Sequence, residues 1–456
     1  MKKHISLITI ILILMTMGYA SFAFGAVSAE EAAKLGGSEL TPIGAERAGN
    51  KDGTIPAWTG VPIPIPKGYK PGSGIYVDPF ADENPLFSIS QKNMAQYADK
   101  LAEGVKELMK RYPEYRIDVY KTHRNKVFPQ WYYDNTKRCA TTCQTAKDGR
   151  MIMGKGCWGG TPFPIPKAGD ELLWNHQLSF GAPEACTIQY ENYIITSTGK
   201  VSMSTQALWI LDSVWNDPKN DSDNKFVLQR FTYTGPPRRN GEILLGYYPK
   251  DWSAGAVIWQ YLPGQRRLRL APDICCDAPN SSTGGASVYD ETMIFNGDPG
   301  RFNWKLVGKK ELYIPYNTYK CIFYRGPVEK ALLKHYVNPD LLRWELHRVW
   351  VVEGTLKPGK RHAYPKRFFY LDEDTLSALI SDNYDKHGNL YRMAVSYGIY
   401  SYDVQAEYAK TMVYYDMISN SYAIQSWPRL GNGIQYMKFH DKSLFSPDSV
   451  AGGGLR

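Results

Sequence analysis

Apolar and polar residues alternate through much of the second half of the chain. From Trp344 to Val352, residues Trp344, Leu346, Arg348, Trp350 and Val352 fall on one side and Glu345, His347, Val349 and Val351 on the other. A period of two is the mark of a β-strand. Arg367–Leu371, Leu376–Ser381 and Leu390–Tyr397 repeat the pattern, divided by Asp372-Glu373-Asp374 and by Asp385-Lys386-His387-Gly388-Asn389, and so predict a meander. Tyr408–Met417 and Tyr422–Trp427 predict a further hairpin. Upstream, Phe226–Thr234, Glu242–Tyr248, Val257–Tyr261 and Arg266–Leu270 are short strands separated by Gly, Pro and Asn. Consecutive hairpins imply an antiparallel sheet with one face on a core or ligand and the other on water.

A helical period appears earlier. Met94, Tyr97, Leu101, Val105 and Leu108 recur every three or four residues, predicting a helix from an N-cap at Ser90 to Arg111, stopped by Pro113. Shorter helices are predicted from Ala168, carrying Leu172, Leu173 and Trp174, and over Val328–His335. Between Leu40 and Ser88 the Pro and Gly content, including Val61-Pro62-Ile63-Pro64-Ile65-Pro66, excludes a helix or a central strand. This stretch reads as an extended arm anchored by Trp58. Pro162-Phe163-Pro164-Ile165-Pro166 echoes the phrase but is too short to establish a duplication.

The N-terminus changes the setting. Lys2 and Lys3 precede an apolar run from Ile5 to Met17 and small residues around Ala20 to Ala26, the pattern of a secretory leader over residues 1–25, with cleavage after Gly25 or Ala29. The run is short for a membrane span, and no cysteine near the junction offers a lipid anchor. The remaining chain then divides into an arm, 26–88, and one β-domain, 89–456. Lys and Arg exceed Asp and Glu by 9, spread without a basic run, which argues against nucleic acid and leaves transient contact with anionic membranes open. After export the cysteines face an oxidising compartment, so Cys139, Cys143, Cys157 and Cys186 are disulfide candidates with their pairing open, in preference to a zinc site.

The order of several phrases carries a resemblance. Leu40-Thr41-Pro42-Ile43-Gly44-Ala45-Glu46-Arg47-Ala48-Gly49-Asn50-Lys51-Asp52-Gly53, Trp259-Gln260-Tyr261-Leu262-Pro263-Gly264-Gln265-Arg266-Arg267, Tyr313-Ile314-Pro315-Tyr316-Asn317 and Glu345-Leu346-His347-Arg348-Val349-Trp350 are similar to the signature of the domain-of-unknown-function 1329 family. That family is grouped with the LolA/LolB-like lipoprotein-sorting proteins of Gram-negative bacteria. The resemblance implies a curved, half-closed antiparallel β-barrel plugged by helices, a soluble periplasmic location, and binding of lipid, lipoprotein acyl chains or another hydrophobic molecule. It also implies partnership with an RND-type exporter. The cysteines depart from the family pattern and put the bracing of their loop in doubt.

No catalytic constellation competes with this. There is no nucleophile elbow, zinc-protease helix or P-loop, and the histidines are dispersed. Three acids at 372–374 in a hairpin turn are ordinarily solvated turn formers. We therefore expect no catalytic residue, no metal and no cofactor. A curved sheet facing few helices has apolar surface to spare for a cavity. Trp259, Tyr261, Trp350, Phe368 and Tyr370 are the candidate contributors, with Val349, Val351 and Phe369 as the set on the opposite face. A structural or adaptor subunit of an envelope assembly, docking through the arm and a sheet edge, is the alternative to the carrier.

Overall fold

The computed structural model describes residues 26–221, 223–429 and 431–453. The leader assigned to residues 1–25 lies outside the described residues. The strands are β1 (Phe87–Ser90), β2 (Arg116–Val119), β3 (Gln144–Thr145), β4 (Ile152–Met153), β5 (Ala185–Ile195), β6 (Val201–Asp212), β7 (Lys225–Gly235), β8 (Ile243–Pro249) and β9 (Val257–Leu262). They continue as β10 (Arg267–Leu270), β11 (Phe302–Pro315), β12 (Trp344–Leu356), β13 (Lys366–Asp372), β14 (Ala378–Tyr384), β15 (Leu390–Ser401), β16 (Ala406–Asp416), β17 (Ser421–Trp427) and β18 (Ile434–Met437). All but β3 and β4 join one half-closed sheet in the order β1-β2-β12-β13-β14-β15-β16-β17-β5-β6-β7-β8-β9-β10, with β11 also on β12 and β18 on β5. Its ladders are antiparallel except for one parallel contact, Trp344 with Val119. The meander, the hairpin and the upstream strands form as their alternation predicts.

One expectation about the sheet is overturned. Its central strands have no face on water: β14, β16 and β17 are buried along nearly their whole length. One face, carrying Tyr370, Ile380, Met393, Val395, Val413 and Ile424, packs with Val105, Leu108 and Met109 of a helix at Glu103–Arg111. The other carries Val352, Phe369, Leu371, Ala394, Met412 and Tyr414, and is covered by Leu172 and Leu173 of the helix Gly169–Gln177 and by Ile294 and Phe295. Apolar runs such as Ala378-Leu379-Ile380 are the signature of a strand buried on both sides.

The long helix predicted from Ser90 is also interrupted. Ser90 pairs with Arg116 in the β1–β2 ladder, a 3₁₀ helix covers Met94–Lys100, and Leu101 and Ala102 are extended. The α-helix then restarts at Glu103. A carboxylate from elsewhere makes the restart possible: Asp382 accepts the N–H groups of Glu103 and Gly104, both at 2.9 Å, satisfying helix-end donors that no local cap serves. A helix at Gln130–Thr142, which the pattern did not reveal, carries Cys139. Only Val328–Ala331 of the third predicted helix forms.

Between Lys34 and Leu86 the chain makes no helix or ladder strand. Two buried arginines hold it by its carbonyls. Arg124 donates to the oxygens of Glu46 at 2.7 Å and Pro56 at 3.3 Å, and Arg348 to those of Glu46 at 3.0 Å and Ala48 at 2.6 Å. Trp58 is buried beneath the Arg47 guanidinium. Gly44, at φ +91°, lies so close to Pro164 that a Cβ would stand 1.7 Å from its carbonyl oxygen, so the start of the arm is seated on the Pro162–Pro166 phrase.

Candidate functional site

The same arginines correct the reading of the acidic turn. Asp372, Glu373 and Asp374 are buried rather than solvated. Asp374 takes a two-pronged contact from Arg124 at 2.8 and 2.6 Å, Glu373 accepts from Arg348 at 2.8 Å, and Asp372 accepts from Tyr316 at 3.1 Å. His347, Asp372 and Asp374 place donor atoms within 4.8 Å of one another. Arg124 already neutralises Asp374, and His347 lies 3.3 Å from Glu345 and stacks on Tyr316 at 3.9 Å. A cation competing for these groups would have to displace Arg124, so the cluster is a structural ion-pair network.

Open space lies elsewhere, on the face of β5–β9 that continues the Phe369 side of the sheet. Residues opposite one another in an antiparallel ladder project to the same face. Tyr190 opposes Ala207, Ala207 opposes Tyr233, Trp209 opposes Phe231, and Phe231 opposes Leu244. These residues, with Tyr248, form an aromatic wall in which Trp209 stacks on Phe231 at 5.2 Å. At Gly246 a Cβ would stand 2.2 Å from the Val257 oxygen, so only glycine fits there.

Residues 271–301 cover the wall without joining it. This stretch holds only short 3₁₀ turns. It leaves a pocket of about 60 Å³ lined by Tyr190, Phe231, Tyr233, Ile258, Tyr289 and Thr292. A neighbouring cavity of about 350 Å³ shares Tyr248, Ile274 and Tyr289 with it and opens past Arg301, Lys360 and Arg361. Asn296 lines both that cavity and a third space of about 60 Å³ beside His176 and Lys410. Together these make one divided chamber. A hollow of about 560 Å³ lies between the arm and residues 317–343, and its Arg343 is held by Glu83 at 2.7 Å and by Glu345 at 2.6 Å.

The cover is pinned along one side by polar contacts. Asp290 accepts from Arg367 at 3.1 Å and lies 2.9 Å from His362. Burial alone would raise its pKa, but the Arg367 guanidinium, helped by the contact with His362, lowers it to about 2. Glu291 accepts from Tyr364 at 2.8 Å and Asn383 at 3.0 Å. His176 Nε2 donates to the Met293 carbonyl at 2.8 Å while Nδ1 accepts the Ala378 N–H at 2.9 Å, so the ring is neutral, and burial brings its pKa to about 4.

The five aromatic candidates are not brought together. Trp350 opposes Leu371, whereas Phe368 opposes Glu353 and Tyr370 opposes Val351, so Trp350 projects to the face opposite Phe368 and Tyr370. Tyr370 donates to Asp382 at 3.1 Å beside the Glu103–Arg111 helix. Trp259 opposes Leu245 and Tyr261 opposes Ile243. Both sit on the reverse of the aromatic wall, where Phe445 and Val450 cover them. None of the five lines the chamber on the wall of β5–β9. Phe369, from the opposite set, packs against Phe295 of the cover at 5.6 Å.

The cysteines resolve differently from a four-residue cluster. Cys143 and Cys157 are bonded. Cys139 is a buried thiol donating to the Trp158 carbonyl at 3.3 Å, and Cys186 is a buried thiol on β5. Strand position sends Cys186 into the core, out of reach of the loop.

Comparison with known proteins places the sequence. The profile described as protein of unknown function (DUF1329) matches residues 88–451. The chain belongs to the DUF1329 family. Uncharacterized protein PA3922 of Pseudomonas aeruginosa, similar at 39% identity over 412 residues, is covered to 88%, as is this chain. Among solved structures, a DUF1329 protein from Desulfovibrio piger matches 59% of this chain and 91% of its own length at 16% identity and TM-score 0.41. A putative outer membrane lipoprotein-sorting domain from Vibrio parahaemolyticus matches 62% and 97% at 12% identity and TM-score 0.42. A LolA superfamily protein from Nitrosomonas europaea matches 62% and 100% at 10% identity and TM-score 0.37. Among the described residues, no helix is long and apolar enough to cross a membrane.

Sequence reading missed the aromatic wall and its cover. Phe231, Tyr233 and Tyr248 were within predicted strands, but no pattern told which of their faces was free. The available signal was the stretch from Ala271 to Arg301, rich in Gly, Pro, Ser and Asn, since a long irregular segment in a compact protein commonly carries function.

Proposed function

We propose that this DUF1329 protein is a non-enzymatic carrier that shelters a lipid, a lipoprotein acyl chain or another hydrophobic molecule in the chamber beneath residues 271–301. The observation that carries the reading is the aromatic wall of Tyr190, Phe231, Tyr233 and Tyr248 left unfilled under a cover that joins no ladder. Burial of each methylene there would contribute about 0.8 kcal/mol. In this account the leader directs the chain to the periplasm, residues 26–88 form an arm on a single domain of 89–456, and membrane contact is transient. Delivery with an RND-type exporter is part of the proposal and is supported by the sequence resemblance alone. The adaptor reading keeps one observation in its favour, the exposed Val61 and Ile65 of the arm.

Native mass spectrometry of protein purified gently from the periplasm tests the proposal. A carrier retains an apolar molecule that organic extraction releases, and Ile274→Trp, which fills the shared wall of the chamber, lowers the load while the melting temperature holds. An unliganded wild-type protein would favour the adaptor.

A further inference from the structure

The cavity of about 350 Å³ has more cationic than anionic side chains in its lining. Arg150, Arg301, Lys360 and Arg361 line it against a single carboxylate, Asp298, and Arg150 already pairs with Asp298 at 3.1 Å. Arg301 donates through Nη2 to the Arg361 carbonyl, and the acid nearest it is Asp277 at 3.8 Å, beyond hydrogen-bond length. Two residues of the lining, Arg301 and Trp252, carry a buried donor without a partner, Nε and Nε1, and a third, Asn296, turns its buried amide toward Tyr248. Asn296 and Trp252 are each only 6% exposed, so bulk water does not serve them. Buried donors normally find acceptors. All three groups are donors, and all belong to residues lining the cavity with surplus positive charge. Opposite them, Tyr248, Ile274 and Tyr289 lead into the aromatic pocket.

We propose that the ligand is an anionic amphiphile, with its carboxylate or phosphate head held by Arg301, Asn296 and Trp252 and its hydrocarbon end passing Tyr248 and Tyr289 toward Phe231. This rests on the carrier reading and adds the chemical class of the ligand. A guanidinium suits either oxyanion, because it presents several donors in one plane. Lys360 and Arg361 are exposed at the rim, where they draw a negative head toward the opening. The two halves of the site differ in what they select: the wall selects chain length, the donors select charge.

The test is fluorescence titration of the full mature protein with 11-(dansylamino)undecanoic acid and with its methyl ester, which share a tail and differ in charge. The acid binds about tenfold or more tightly than the ester, as loss of a charge-assisted hydrogen bond implies. Arg301→Met weakens the acid far more than the ester and so narrows the difference between them, Arg301→Lys restores part of the difference, and Trp252→Phe weakens the acid without removing the wall. Displacement by dodecanoate and by dodecyl phosphate then tells which head is preferred. Equal binding of acid and ester by the wild type would overturn the anionic assignment and leave the chamber standing. Binding of neither would overturn both.

Discussion

Arg367 Nη1 lies 3.1 Å from each carboxylate oxygen of Asp290, and both side chains are buried. The arginine stands on β13 and the aspartate on the cover, so this contact ties the chamber's roof to the sheet. Removing Asp290 leaves Arg367 charged and buried without its carboxylate, and removing Arg367 leaves Asp290 with only His362 beside it. We predict that Asp290→Asn or Arg367→Met destabilises the protein by about 3–5 kcal/mol, and that the double variant recovers part of the loss. Urea denaturation measures it; additive losses would show that the two groups do not act as a pair.

His176 makes the roof sensitive to acid. Its Nδ1 accepts from Ala378 and its Nε2 donates to Met293, so protonation destroys the first contact. Burial lowers the folded pKa from 6.5 to about 4. The unfolded chain therefore binds the proton first, and the stabilisation, complete above pH 6.5, is lost as pH falls toward 4. The shift corresponds to about 3 kcal/mol. Compared with His176→Gln, the wild type should lose that much more stability across this window. An imidazole titrating near its ordinary pKa by NMR would contradict the prediction.

The cysteines should fall into three reactivity classes. Peptide mapping should find Cys143 joined to Cys157, and its reduction should cost about 3 kcal/mol for a loop with a sequence separation of 14. Cys139, Cys186 and Cys321, all buried, should resist alkylation in the native state. Cys275 should react first, since the hydrogen bond from Cys276 lowers its pKa against the opposing effect of burial, with Arg301 adding to the lowering. Because it lines the chamber's mouth, bound ligand should slow it.

Trp259 should matter for a different reason from the one its sequence position suggested. It packs with Leu268 and Phe445 on the reverse of the wall. Trp259→Ala should speed amide hydrogen exchange over residues 442–450 and leave ligand load unchanged. A loss of ligand without faster exchange would return Trp259 to the binding site.

Strand alternation made the sheet legible, because period two survives wherever a strand contributes to a core. Register was harder. Trp350 and Phe368 each sit on predicted neighbouring strands, but a one-residue difference in pairing decides whether they share a face, and the observed pairing of Trp350 with Leu371 separates them. The break in the predicted helix depends on Asp382, distant in sequence from Glu103, and no local pattern reports such a partner. The acidic turn misled for the same reason: Arg124 and Arg348 convert what sequence presents as solvated charge into buried ion pairs. The chamber escaped because its wall is defined by what fails to fill it.

Photo-crosslinking with a diazirine-bearing fatty acid locates the bound molecule directly. The account predicts labelled peptides from both sides of the chamber, on β7–β8 around Phe231 and Tyr248 and on the cover around Ile274 and Tyr289. Labelling confined to Trp259, Phe368 or Tyr370, or absent from the chamber altogether, would contradict it.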